Sequence, residues 1–368
     1  MQIIGSIIYH FPFGLEPEKS GSHVHIHQMM RGFQELGYAV EPVTGVAGPR
    51  GRIVQRLRRE VSAGRRFDFA YVWSPTVPSL SARRNRIHPF ADLAFFHWCK
   101  EQGIPLGVFY GDVHWRYPEI VKGTSLQRLW GRALYRYDWQ LYCRYADHLF
   151  LPDLAMRSAL FTPWPTDRAS ALRPGCNIVE LPRARRQVGG PLRLFYVGGV
   201  RPPVYDLKPM LETVQGMEGV CLTLCCREAE WDAQRPSYGE IDGQRVQVVH
   251  AIGEALRPHY AAADVFGYFH APHPYYDITM PVKTFETLGF GLPMITSEPR
   301  SACGRFVAGE GIGWAVEDLA GFQDLLRFLQ ANPQAVEEKR RRAEALRAEH
   351  TWQVRARQVI DTMAKYQG

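Results

Sequence analysis

Apolar residues recur along this chain in two alternating patterns. Short β-like runs occupy residues 2–9, 38–44, 67–73, 104–110 and 149–152. Between the first two runs, residues 23–36 repeat their apolar positions at helical spacing and are closed by Gly37. A second series follows, with runs at 192–199, 220–225, 246–250, 265–269 and 294–296. Strands alternating with helices predict an α/β fold of two parallel, doubly wound sheets in tandem. Residues 163–190, rich in proline and arginine and ending in Gly-Gly, read as the end of the first domain and its linker. The pattern predicts domains over 1–185 and 186–350. A charged helical tail, 351–368, follows a break at Thr351-Trp352.

Composition supports two domains. The chain has 368 residues, and single cores stop growing near ~250–300. The apolar fraction of 46% is that of a globular protein. No apolar run approaches the ~18 residues of a membrane span. The first residues carry no basic segment ahead of their apolar stretch and read as a strand, not a signal peptide. The seven cysteines are scattered without zinc-ligand spacing, which points to buried thiols in a reducing cytoplasm. Charge is distributed unevenly. Residues 1–180 hold 22 Lys+Arg against 15 Asp+Glu, while 181–368 hold 22 of each. Blocks at residues 50–59, Arg65-Arg66 and Arg83-Arg84-Asn-Arg86 carry much of the excess. Such a face attracts acidic substrates, anionic lipid or nucleic acid, and no nucleic-acid-binding motif is present.

The densest chemistry lies in Met280-Pro-Val-Lys-Thr-Phe-Glu-Thr-Leu-Gly-Phe-Gly-Leu-Pro-Met-Ile-Thr-Ser297. Lys283 and Glu286 share a helix face. Gly289 and Gly291 can end that helix, Pro293 prevents its continuation, and a short buried strand follows. A cation and an acid above the ends of a parallel sheet suit a ligand that carries phosphates and a sugar diol.

This segment resembles the donor-nucleotide signature of GT-B glycosyltransferases, particularly the retaining family 4 enzymes. The segment 20–40 resembles the family's opening glycine loop and helix. Tyr196-Val-Gly-Gly199 is similar to the strand and turn that begin its second domain, and residues 259–265 to the helix and strand before the donor segment. The resemblance implies two Rossmann-like doubly wound domains facing a cleft, with the last helix returning to the first domain. It implies transfer of a sugar from a nucleotide donor, UDP-linked by default, with retention and without a cofactor. The metal-dependent GT-A enzymes use Asp-x-Asp, and this sequence has none. Glu286 would hold the ribose hydroxyls and Lys283 would face the diphosphate. Gly198, Gly199, Arg201 and Lys208 would also meet the phosphates, although Arg201 and Lys208 stand further apart here than the family's pair. Many family members carry a second acid eight residues before Glu286. That position is Ile278 here, and Asp277, one residue further away, is the nearest substitute.

In the first domain, Tyr110-Gly-Asp-Val-His-Trp-Arg-Tyr-Pro118 follows a buried strand, where α/β folds bind ligands. His114 would donate to a sugar hydroxyl, and Asp112 would serve as general base if the enzyme inverts. In an extended segment both would point to one side. Gly21 and Ser22 would line the phosphate end of the cleft. His23, His25 and His27 suggest a metal, but only His23 and His27 share a helix face. Residues 125–145 combine aromatics with an arginine stripe, which suits either a helix lying on anionic lipid or a core helix with a basic edge. The expected acceptor is a saccharide or a lipid-linked saccharide of polysaccharide or glycolipid synthesis. The expected location is the cytoplasm, at the inner face of the membrane. Two other functions fit the same fold: a sugar-nucleotide epimerase, and a non-catalytic nucleotide-binding subunit of a membrane complex.

Overall fold

The computed structural model describes residues 3–14, 21–74, 77–81, 90–121, 123–182 and 189–367, without the side chains of residues 21–23 and 81. The Arg83–Arg86 block lies outside them. Along the chain run β1 (Gly5–His10), α1 (Gly21–Glu35), β2 (Tyr38–Val43), α2 (Ala47–Ser62), β3 (Phe69–Ser74), α3 (Ala91–Glu101), β4 (Leu106–Tyr110), α4 (Ser125–Tyr145), β5 (His148–Leu151) and β6 (Ala169–Ala171). There follow β7 (Leu192–Val197), α5 (Lys208–Gly216), β8 (Val220–Cys225), α6 (Glu228–Tyr238), β9 (Val246–Val249), α7 (Arg257–Ala262) and β10 (Val265–Tyr268). The chain ends with α8 (Val282–Gly289), β11 (Met294–Ser297), α9 (Ala302–Gly309), β12 (Gly313–Val316), α10 (Leu319–Ala331), α11 (Pro333–Leu346) and α12 (Trp352–Met363).

These elements form two compact units, Met1–Gly175 with Trp352–Gly368, and Cys176–Thr351. Among the described residues, each is built on one six-stranded sheet whose neighbouring strands are all parallel. The first sheet runs β2-β1-β3-β4-β5-β6. The second runs β12-β11-β10-β7-β8-β9, the Rossmann order read from its other edge. The order reverses between β1 and β3 in the first unit and between β7 and β10 in the second. At those points the helices diverge to opposite faces and leave a crevice beyond the strand C-termini.

Strands β3 and β4 are buried along their whole length, as expected where helices cover both faces. The first core is aromatic: Tyr9, Phe33, Phe69, Tyr71 and Phe150 are fully buried and meet edge to face or at a tilt. His25 belongs to this core. Its ring stacks on Phe109 at 4.2 Å and stands edge-on to Trp352, and burial lowers its pKa to about 3. It therefore packs as a neutral ring.

The division between units falls at Gly175 and Cys176, earlier than the 185/186 boundary read from proline and glycine content. The backbone shows why. Cys176 N–H donates to His350 O at 2.8 Å, and Val179 N–H donates to Gly289 O at 3.1 Å, so the proline-rich stretch is stitched into the second unit. Ahead of it, the short edge strand β6 (Ala-Ser-Ala) sits inside the segment read as linker, because three small residues give no strand pattern. Gly289 is required where the two segments cross. A Cβ there would stand 2.2 Å from the Asn177 carbonyl oxygen. We expect Gly289→Ala to lower stability by about 1–3 kcal/mol, read from the shift of a urea unfolding midpoint.

Candidate active site

The helix α8 begins after Pro281 and carries Lys283 in its first turn. Phe285, Leu288 and Gly289 are buried, while Lys283 and Glu286 are half-buried. Gly291, at φ +62°, makes the left-handed turn that leads to Pro293 and β11. This is the helix, turn and strand that the sequence predicts.

Lys283 reaches the crevice between β7 and β10. Its Nζ donates to Tyr196 Oη at 3.1 Å. It lies 4.7 Å from the ring centre of Tyr196, 4.6 Å from Tyr205 and 4.5 Å from Tyr268. Tyr196 comes from β7, Tyr268 from the end of β10 and Tyr205 from the loop after β7. Three ring faces around one ammonium attract its charge, yet the loss of water opposes that charge more strongly. Burial lowers the Lys283 pKa to about 7, against the upward pull of Cys303, Glu230 and Glu286. The cation is thus held in a site poor in negative partners, a condition that an arriving anion would relieve.

Gly198 and Gly199 let the backbone pass directly beside this group. A Cβ on Gly198 would lie 2.5 Å from Lys283 Nζ, and one on Gly199 would meet the Tyr205 ring at 2.6 Å. The loop is fixed by phenols. Tyr196 donates to Gly199 O at 2.6 Å, Tyr238 donates to Val200 O at 2.6 Å, and Tyr276 donates to Val204 O. The Glu230 carboxylate accepts from Val200 N–H at 3.0 Å. Arg201 is half-buried in this loop. Lys208 is exposed at the start of α5, with its Nζ 3.9 Å from Glu212.

Asp277 lies in the wall of an open pocket of about 770 Å³ with His273, Glu298, Arg300, Glu317 and Asp318. Glu298 follows β11 and has φ +56°, in the left-handed region. Burial, and then Asp277, raise its pKa. His270 stands edge-on to Tyr268, with ring centres 4.6 Å apart, and its ring centre is 3.8 Å from that of Tyr276. Burial lowers its pKa to about 4, so it is neutral.

In the first unit, Asp112 and His114 meet by a turn, not by strand alternation. Asp112 Oδ1 accepts from the His114 backbone N–H at 2.9 Å as a short 3₁₀ turn opens at His114. His114 Nδ1 stands 3.2 Å from Asp112 Oδ2, and its Nε2 is 2.9 Å from Tyr135 Oη. Burial works against a charge on His114, but the Asp112 carboxylate outweighs it and raises the pKa. Gly21 and Ser22 are the first residues of α1. A second buried polar group lies at the β1/β3 switch point and has no counterpart in the sequence reading. His10 Nε2 and Arg50 both contact Asp92 Oδ1, at 3.0 and 2.7 Å. Nearby, Asp138 accepts from the hydroxyl and backbone N–H of Ser79.

Residues 206–361 match a family model described as glycosyl transferase-like. No curated protein matches the sequence. Among solved structures, Anabaena HepE in complex with UDP-glucose is similar at a TM-score of 0.64 with 12% identity, over 98% of this chain and 100% of that one. A glycosyltransferase of Rickettsia africae is similar at 0.60 with 7% identity, over 98% of each chain. The galactosyltransferase WaaB of the lipopolysaccharide outer core is similar at 0.57 with 10% identity, over 97% of this chain and 99% of that one. The fold is GT-B. In GT-B terms, the matched region contains α8 with Lys283 and Glu286, and the loop that follows β7 precedes it almost entirely. The tyrosine cage therefore draws on residues both inside and outside the match. Its members lie on separate elements, and the only sequence signal for them is an apolar run with a tyrosine at or next to its end in β7 and β10.

Proposed function

We propose that this protein is a glycosyltransferase that moves a sugar from a nucleotide-sugar donor, UDP-linked, to a saccharide or lipid-linked saccharide acceptor. One observation carries the reading. At the switch point of a Rossmann-ordered sheet, a lysine ammonium lies against a glycine backbone, with a carboxylate three residues along the same helix. Lys283 would take the charge that develops on the leaving diphosphate, and Glu286 would hold the ribose diol. Gly198 and Gly199 would give the phosphates close approach to the backbone, and Arg201 would add a second cation. The protein then needs no metal for leaving-group charge. That HepE was solved with UDP-glucose supports the choice of donor. In the first unit, His114, oriented by Asp112 and Tyr135, would donate to a sugar hydroxyl. Resemblance to family 4 favours retention of anomeric configuration. The positive balance of residues 1–180 favours an acidic or lipid-bound acceptor.

The test is a thermal-shift panel of UDP, GDP, dTDP and their sugars, on wild type and Glu286→Ala. UDP compounds are expected to stabilise the wild type by roughly 2.7 kcal/mol at a hundredfold excess over Kd, and to leave Glu286→Ala unmoved. A wild type indifferent to every nucleotide at millimolar concentration would refute the donor site. Binding without any product from any acceptor would favour the non-catalytic subunit.

A further inference from the structure

The helix α4 is longer than the sheet it covers. At 21 residues it spans about 31 Å, whereas the five residues of β4 span about 17 Å. Its C-terminal half is core: Asp138, Trp139, Leu141, Tyr142 and Tyr145 are buried. Trp139 meets Tyr110, the last residue of β4, with ring centres 5.4 Å apart. The turns before Trp139 therefore project past the strand C-termini, the edge that also carries Asp112 and His114.

That projecting end is apolar on its outside. Leu126 is 75% exposed, Leu129 66% and Trp130 61%. They are spaced i, i+3, i+4, so they form one stripe. On a 3.6-residue period the stripe is turned about 120° from the buried face of the same helix, so folding of this unit does not cover it. Arg132 and Arg136 are exposed beside it. Residues 125–137 contain three arginines and no acid. The end is firmly made. Thr124 and Gln127 form a capping box, and Arg128 donates to Gly123 O at 2.6 Å.

Three large apolar side chains on a rigid tip, flanked by arginines without acids, fit an interface with acyl chains below and phosphate above. We propose that the tip of α4 inserts into the surface of an anionic bilayer, with Leu126, Leu129 and Trp130 among the acyl chains and Arg132 and Arg136 on lipid phosphates. The charge pattern selects lipid over a second copy of the chain, because two such tips face to face would oppose arginine to arginine. The inference deepens the proposed function by placing its acceptor at a lipid surface, and rests on it only for the acceptor's chemistry.

Co-sedimentation of the full-length protein with vesicles tests this without nucleotide, so its outcome is separate from that of the thermal-shift panel. The wild type is expected to bind vesicles of 30:70 phosphatidylglycerol and phosphatidylcholine, to bind pure phosphatidylcholine far less, and to dissociate as salt is raised. R132Q/R136Q is expected to bind roughly thirtyfold more weakly, and L126S/L129S/W130S to lose binding. All substituted side chains are exposed, so the variants are expected to melt as the wild type does. Failure of the wild type to bind anionic vesicles would overturn the proposal, as would unchanged binding by the triple variant. A dimer that the triple variant dissolves would assign the stripe to a second copy and overturn it as well.

Discussion

Lys283→Met is expected to abolish stabilisation by nucleoside diphosphates while leaving the protein folded, and at neutral pH more stable. Removing the ammonium takes away the group that would meet the diphosphate. It also takes away a charge that the fold disfavours. The pKa of Lys283 is about 7, below the ordinary lysine value, so the unfolded chain binds this proton more tightly. Stability therefore rises with pH from about 7 up to the ordinary lysine range near ~10.4. The variant loses that slope, and thermal melts of both proteins across this interval check it. The same linkage applies to ligand. A diphosphate beside Nζ favours the charged form, so above pH 7 donor binding draws a proton from solution and weakens as pH rises. Titration calorimetry in two buffers of different ionisation enthalpy reads the proton directly. Equal heats in both at pH 8 would show that binding draws no proton and would refute the coupling.

Asp92→Ala is expected to destabilise the first unit by about 3–5 kcal/mol. Arg50 and Asp92 are both almost fully buried, and His10 shares the same carboxylate oxygen. Removing the carboxylate takes the charged partner from a buried guanidinium that also donates to the Gly45 carbonyl at 2.6 Å. Burial raises the Asp92 carboxyl, but His10 and Arg50 outweigh it and hold it below the ordinary value. Burial lowers His10, against the pull of Asp92. Both shifts act in one direction. The unfolded chain takes up protons first as pH falls, on His10 below about 6.5 and on Asp92 below about 3.9. Wild-type stability is expected to decline through the same acid range. Chemical denaturation of the two proteins at pH 7 checks the size of the loss, and the same measurement on the wild type from pH 7 to pH 3 checks the decline.

The alternating apolar runs were enough to read the two α/β series, because strands buried on both faces leave short, dense hydrophobic stretches. The helix, turn and strand of residues 280–297 were legible for a similar reason. Pro281, Gly289, Gly291 and Pro293 punctuate it, and Lys283 and Glu286 are close enough for helical geometry to relate them. Contacts between distant elements were not legible. Tyr196, Tyr205 and Tyr268 meet only because β7 and β10 are neighbours, and Asp92 reaches His10 and Arg50 across three elements. The environment of Lys208 was not legible either, because its spacing from Arg201 in sequence says nothing of the path of the intervening loop, and the side chain is exposed beside Glu212. Asp112 and His114 come together as the sequence suggests but through a turn, since an aspartate that accepts from the backbone two residues on bends the chain.

The first unit is assembled from two pieces of chain, and this bears on how the protein is made. Trp352, Ala356, Val359 and Met363 of α12 are buried in that unit. The Trp352 carbonyl lies so near α1 that a Cβ on Gly32 would stand 2.8 Å from it, and Met363 Sδ lies similarly close to Gly107 in β4. Until α12 leaves the ribosome, α1 and β4 lack their cover. The second unit is continuous and contains all its own strands, so it can finish first although it is translated later. The nascent chain must therefore hold an unfinished amino-terminal half while the other half is completed. Chaperone dependence during synthesis would then fall on that half, and a ribosome stalled just before Trp352 would display a folded second unit beside an incomplete first.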